Sequence, residues 1–233
     1  LAICRNRKTP QKRRIHPWGM GRVGGGVVTF VGDTWDVVRV WEHEYGVGTL
    51  VKWGQVAVMV VNVYVPPAAS DFGPSTAPAY QGVLELMQDW VLQARIGGGG
   101  SLQGILWVGD FNAHVPHEGH VADARGRVLA AAMDAWGFVR PPISPTGEQR
   151  GTYRAPDGHV TTVDYMWFHP DGGALAPVEV VSHHWVETPC PSPHAIMCTR
   201  LVLQHAGGPQ PPPQPSNQSG GDRLRPVRVV LNH

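Results

Sequence analysis

No apolar run in this chain approaches the roughly 20 residues that a bilayer-crossing helix needs, so no membrane partner is expected. Cysteine is scarce. Cys4, Cys190 and Cys198 do not make a disulfide framework, which points to a reducing compartment. Residues 1–20 hold no acid at all, and charged residues make up only 16% of the chain. The Lys-Ser/Thr that completes a nucleotide loop is missing after Gly24-Gly25-Gly26, which reads as a flexible lead into a strand. The opening Leu1-Ala2-Ile3-Cys4 is too short for a signal-peptide core, and the sequence reads as cut from something longer.

What is present suffices for one large domain or two small ones in 233 residues, 42% of them hydrophobic. Residues 1–14 carry six basic side chains, so the remainder holds 13 basic against 18 acidic residues. Such an arm either attracts nucleic acid or is a solvated end. The expected division is a basic irregular arm over 1–21, a folded domain over 22–204, and a Pro/Gly/Gln-rich linker with a short basic tail over 205–233.

Within the domain, Val27 to Val31 reads as a strand with 35–41 as its partner. A hairpin across Gly54-Gln55 joins 48–53 to 56–65, and the second arm is apolar enough to be buried on both faces. Tyr80, Val83, Leu84, Met87, Trp90, Val91 and Ala94 follow helical spacing, with Gly97 as the stop. Ile105 to Val108 is a buried strand. A second helix is expected over about 123–136, ended by Gly137. Asp157-Gly158 marks a hairpin turn, followed by strands at 161–168, 178–181 and 195–203.

Polar residues gather at the strand ends. Asp110 and Asn112 are two residues apart after a buried strand, so they point to one side of the sheet and can hold a hydroxide, a phosphate oxygen or a divalent cation. They also suit an ordinary turn. Tyr64 stands before Pro66-Pro67, where a phenol can reach out from the sheet edge or simply keep its hydroxyl wet. Asp164 lies in an apolar strand and needs a partner. His114, His117 and His120, with Glu118, fit a polar loop better than a metal site. Cys190, His194 and Cys198 match no usual zinc finger.

Five stretches in order then carry a resemblance: Val61-Asn62-Val63-Tyr64-Val65-Pro66-Pro67, residues 104–114 (GILWVGDFNAH), residues 126–139, Gly151-Thr152-Tyr153-Arg154, and residues 161–168 (TTVDYMWF). Over about 22–204 the chain resembles the endonuclease/exonuclease/phosphatase superfamily, and most closely the apurinic-type endonuclease domain of non-long-terminal-repeat retrotransposons. The resemblance implies an α+β fold, a four-layer α/β/β/α sandwich of two mostly antiparallel sheets, here with the first strands missing. It implies magnesium-dependent DNA nicking, with manganese as a substitute metal. Asp110 would orient or deprotonate water and serve as a metal ligand. Asn112 would stabilise the pentacoordinate phosphate, and Asp164 would fix His194 as an imidazolium. Tyr64, Asn62, Thr152 and Arg154 would contact phosphate or DNA. A reverse transcriptase in the same parent polypeptide and a nuclear location also follow from the resemblance.

The departures point the other way. The family's closing Ser-Asp-His reads Ser192-Pro193-His194 here, and no Glu that could be the principal metal ligand precedes residue 20. The expected activity is therefore impaired. The alternatives are a non-catalytic nucleic-acid-binding remnant that uses the basic arm, and a phosphatase or lipid phosphodiesterase of the same superfamily.

Overall fold

Valine-rich stretches with little room for charge build the centre of the molecule. The structure, a computed structural model, describes residues 2–5, 27–71, 73–97, 102–116, 121–141, 151–169, 171, 175–177, 182–184, 193–199 and 201–203. In chain order come β1 (Ala2–Arg5), β2 (Val27–Phe30), β3 (Asp36–His43), β4 (Gly46–Trp53), β5 (Val56–Tyr64), α1 (Ala77–Gly97), β6 (Leu102–Asp110) and α2 (Ala124–Ala135). Then follow β7 (Tyr153–Arg154), β8 (Val160–Thr161), β9 (Asp164–His169), β10 (Leu175–Pro177), β11 (Ser182–His184), β12 (Ile196–Cys198) and β13 (Leu201–Leu203).

A five-stranded sheet, ordered β3-β4-β5-β6-β9, positions the site. The hairpin between β4 and β5 pairs Trp53 with Val56, as the Gly54-Gln55 turn requires. β5 and β6 are parallel, which demands a crossover, and α1 supplies it. The apolar stripe of α1 packs Tyr80, Leu84 and Met87 against Met59, Val61 and Trp107 of the sheet, and Leu129 and Met133 of α2 join the same cluster. Each such side chain, fully buried, contributes about 1.5–3 kcal/mol.

The opposite face carries Val58, Val60, Leu106, Val108, Met166 and Phe168, covered by Met197 of β12 and by Val31 and Trp35. On that side lie short antiparallel pairs, β1 with β2 and β11 with β12. The fold is thus a mixed α+β sandwich with one five-stranded sheet and a small second sheet. Both helices of the described residues cover the same face of the larger sheet.

Several elements differ from their sequence reading. β3 pairs with β4 rather than with β2, and β2 takes β1 as its partner. Residues 2–5, expected within an irregular arm, therefore form a strand of their own. The run 161–168 breaks at Thr162-Val163, because the backbone N–H groups of Val163 and Asp164 both turn to the Thr152 hydroxyl. The segment 195–203 divides into β12 and β13, which have different partners. His183 and His184 lie in β11. The strand expected at 178–181 lies outside the described residues, as do His117, His120 and Cys190.

Gly109 fixes how β6 delivers the residue after it. Its φ is +141°, and a Cβ there would fall on the backbone carbonyl of Val63 in β5. Both the backbone conformation and the close approach exclude a side chain. Gly109→Ala is expected to destabilise the fold by more than about 2 kcal/mol, read as a lower urea midpoint. An unchanged midpoint would contradict the close approach.

Candidate active site

Three neighbouring strands end together. The register sets Tyr64 beside Asp110 and Asp110 beside Asp164, so residues from β5, β6 and β9 form one row at one end of the sheet. Phe111 continues the ladder by donating to Val163 O at 2.9 Å, which holds the ends of β6 and β9 together.

Asp110 is 2% exposed. Its Oδ1 accepts from the backbone N–H of Asn112 and its Oδ2 from the Asn112 side-chain amide, each at 2.9 Å. The same amide donates to Val65 O at 2.9 Å. Asn112 adopts φ +44°, a left-handed conformation that Asn tolerates better than most residues. The short loop thus folds back on its own carboxylate. This is the turn chemistry anticipated for an Asp and Asn after a strand, performed at a buried position.

Asp164 is 1% exposed and is met by His194, whose Nδ1 lies 2.9 Å from Oδ2 and 3.2 Å from Oδ1. With Asp164 ionised, that bond requires Nδ1 to carry the proton. Thr152, completely buried, sets the pair. Its hydroxyl accepts from Val163 and Asp164, and its carbonyl accepts from the N–H of Ala195 at 2.7 Å. Arg154 N–H donates to Pro193 O, so His194 is held by backbone bonds on both sides. The Tyr153 ring lies 4.9 Å from the His194 ring, centroid to centroid.

These neighbours shift the proton equilibria. Burial, reinforced by the Asp164 charge, pushes the Asp110 carboxyl up to about 7, against the opposing pull of His194 and the Asn112 donors. Burial presses the His194 imidazolium down, but its hydrogen bond to Asp164 and the two carboxylate charges outweigh this and leave it above 6.5. Ligand atoms of Asp110, Asp164 and His194 all lie within 4.8 Å of one another, so the group offers donors for a divalent metal. It is the one such group among the described residues.

The remaining sequence candidates divide. Tyr64 is half-buried at the same strand end, and Arg154 is exposed on β7. Asn62 is 1% exposed and lies two pairs further into the sheet, opposite Val108, its amide directed to the Thr29 hydroxyl at 3.4 Å; it ties β5 to β2 within the molecule. Thr152 is buried behind Asp164. Sequence reasoning missed Arg125 and Tyr80, which support the Asp110 loop from behind. A signal existed for Arg125: it recurs at four-residue spacing with Leu129 and Met133, on the buried stripe of α2.

A model of the endonuclease/exonuclease/phosphatase family matches residues 7–194. Solved structures agree in fold. The endonuclease domain of TRAS1, a telomere-specific non-LTR retrotransposon, is 13% identical with a TM-score of 0.52, covering 88% of this chain and 81% of that one. An endonuclease/exonuclease/phosphatase from Bacteroides vulgatus is 11% identical with a TM-score of 0.54, covering 87% and 76%. A functionally unknown conserved protein from Enterococcus faecalis is 14% identical with a TM-score of 0.51, covering 88% and 77%. No curated protein matches.

The raised pKa values have a consequence for stability. Asp110 titrates near 3.8 when unfolded but holds its proton to about 7 when folded, so across that window folding takes up a proton and stability falls as pH rises. His194, also raised, contributes fully below 6.5 and loses its contribution as pH climbs through its folded value. Urea midpoints of wild type and Asp110→Asn between pH 4 and 8 should therefore converge at low pH. Above that, wild type should lose ground to the variant by up to about 1.4 kcal/mol per pH unit. A constant gap between the two would contradict the burial of an ionisable Asp110.

Proposed function

The chain belongs to the endonuclease/exonuclease/phosphatase family, and from that premise we propose that its site hydrolyses phosphodiesters in DNA, as a weakened nicking endonuclease of a retroelement. The observation that carries the reading is the Asp110 carboxylate beside the Asp164–His194 pair at one sheet end. A water placed over Asp110 gives its proton to the carboxylate while its oxygen bonds to phosphorus. The bond from phosphorus to the leaving oxygen then breaks. Burial favours that transfer by raising the Asp110 pKa in the metal-free site, and a cation held by Asp110 would lower it again. The His194 imidazolium, held by Asp164, faces the charge growing on the phosphate oxygens. Asn112 fixes the orientation of Asp110.

A divalent cation fits the donor set. Two buried carboxylates repel one another here, and a dication relieves that repulsion. His194 Nδ1 is already engaged, so a hard ion such as Mg2+, or Mn2+ in its place, would be held by Asp110 with waters and substrate phosphate. When bound, the ion supplies charge stabilisation to the leaving oxygen. Pro193, exposed beside His194, offers no ligand, and among the described residues no glutamate joins the group. The weakness of the site follows from that shortfall. The structural likeness to a retrotransposon endonuclease domain supports DNA as substrate and a reverse transcriptase in the same parent polypeptide as partner.

The test is conversion of supercoiled plasmid to open circles in Mg2+ or Mn2+. Slow nicking by the wild-type chain should drop by about 10²-fold or more in Asp110→Ala and rise in Pro193→Asp. Preferred turnover of a phosphomonoester or phospholipid would assign the site to another branch of the family. DNA binding that depends only on residues 1–14, with no nicking even in Pro193→Asp, would instead favour a non-catalytic remnant.

A further inference from the structure

Arg125 sits in the first turn of α2, 6% exposed, on the stripe that continues with Leu129 and Met133. Its hydrogen-bond acceptors are all backbone carbonyls, while the Asp123 and Asp110 charges favour its cation from nearby without bonding it. Nη1 donates to Pro66 O at 2.7 Å and lies 3.5 Å from Asn112 O, Nη2 donates to Pro74 O, and the guanidinium lies over the Tyr80 ring at 5.0 Å. Tyr80, wholly buried, donates its hydroxyl to Phe111 O at 3.1 Å. Pro66 and Pro74 belong to the chain leaving the Tyr64 strand, and Phe111 and Asn112 to the chain leaving the Asp110 strand. One cation therefore gathers both exits. The start of α2 is pressed onto the second exit: a Cβ on Gly126 would meet His114 O, and Asp123 N–H donates to that same carbonyl.

A buried cation is a poor choice for stability alone, because an apolar side chain in line with Leu129 and Met133 would avoid the desolvation cost. A planar guanidinium, however, can bridge carbonyls on two segments at once, which no apolar side chain can do. We propose that Arg125 is a positioning residue for this site: by bridging the carbonyls of Pro66, Pro74 and Asn112 it sets where the Asn112 amide, and with it the Asp110 carboxylate, is held. The activity arm of the test rests on the phosphodiesterase reading; the spectroscopic arm does not.

The test uses Arg125→Ala and Arg125→Lys in the full chain, with two readouts. One is the 15N-labelled side-chain amide signal of Asn112, and the other is nicking kinetics. In Arg125→Ala the amide signal should move toward that of a solvated asparagine. kcat should fall by about ten- to a hundredfold while KM stays within about twofold. Added guanidinium ion should restore both, ammonium should not, and Arg125→Lys should fold yet behave like Arg125→Ala. An unmoved Asn112 signal in Arg125→Lys would overturn the proposal, even if Arg125→Ala does not fold. Equal rescue by guanidinium and ammonium would also overturn it, as would a raised KM with kcat intact. Absence of nicking by the wild-type chain would count against the phosphodiesterase reading and leave the Asn112 signal to decide this one.

Discussion

A carboxylate at the start of an apolar strand has to be answered by donors, and at Asp164 the answer organises the whole site end of the molecule. Thr152 gives up the ordinary role of a strand hydroxyl and accepts two backbone N–H groups, from Val163 and Asp164. That breaks the strand and aims the carboxylate at His194. The same residue's carbonyl takes the N–H of Ala195, so one threonine couples the segment before β9 to the segment carrying the histidine. An unanswered buried carboxylate would be expensive. His194 meets the carboxylate, and three backbone bonds to Thr152 hold the two residues in place for it.

Placing Asp110 in the next strand turns this local solution into a functional constraint. Two buried carboxylates at paired positions repel, and a proton on Asp110, the His194 proton, the Asn112 donors or a bound cation can each offset the repulsion. Stability alone would not select such a row. Local rules give way at functional sites and the surroundings compensate. Here the compensation is visible behind the row, where Asn112 closes on Asp110 and Arg125 and Tyr80 hold the loop from the helix side.

Much of the fold was legible because hydrophobic periodicity reports burial directly. The hairpin about Gly54-Gln55, the doubly buried β5 and the stripes of α1 and α2 all follow from spacing alone. Pairing was less legible. Segment 35–41 carries the pattern of a strand, but nothing in its residues says whether it binds 27–31 or 46–53; that choice depends on β1 taking the place beside β2. The break at Thr162-Val163 was invisible because its cause, Thr152, lies ten residues earlier. For the site, Asp110, Asn112, Asp164 and His194 stood out as polar residues in apolar settings or through motif order, and the structure brings them to one place. Asn62 looked similar yet lies two pairs deeper, within the molecule. Arg125 escaped because an arginine near a helix start is ordinarily a solvated one.

Asp164 holds the His194 proton at Nδ1, and the chemistry proposed for the site depends on it. The direct measurement is NMR of the chain with 15N-labelled histidine near neutral pH. The expected result is one ring whose Nδ1 carries a strongly deshielded, slowly exchanging proton, assigned to His194 by its loss in His194→Gln. If the His194 nitrogens exchange and titrate like those of free imidazole in water, the pair does not exist in solution and the chemistry built on it fails.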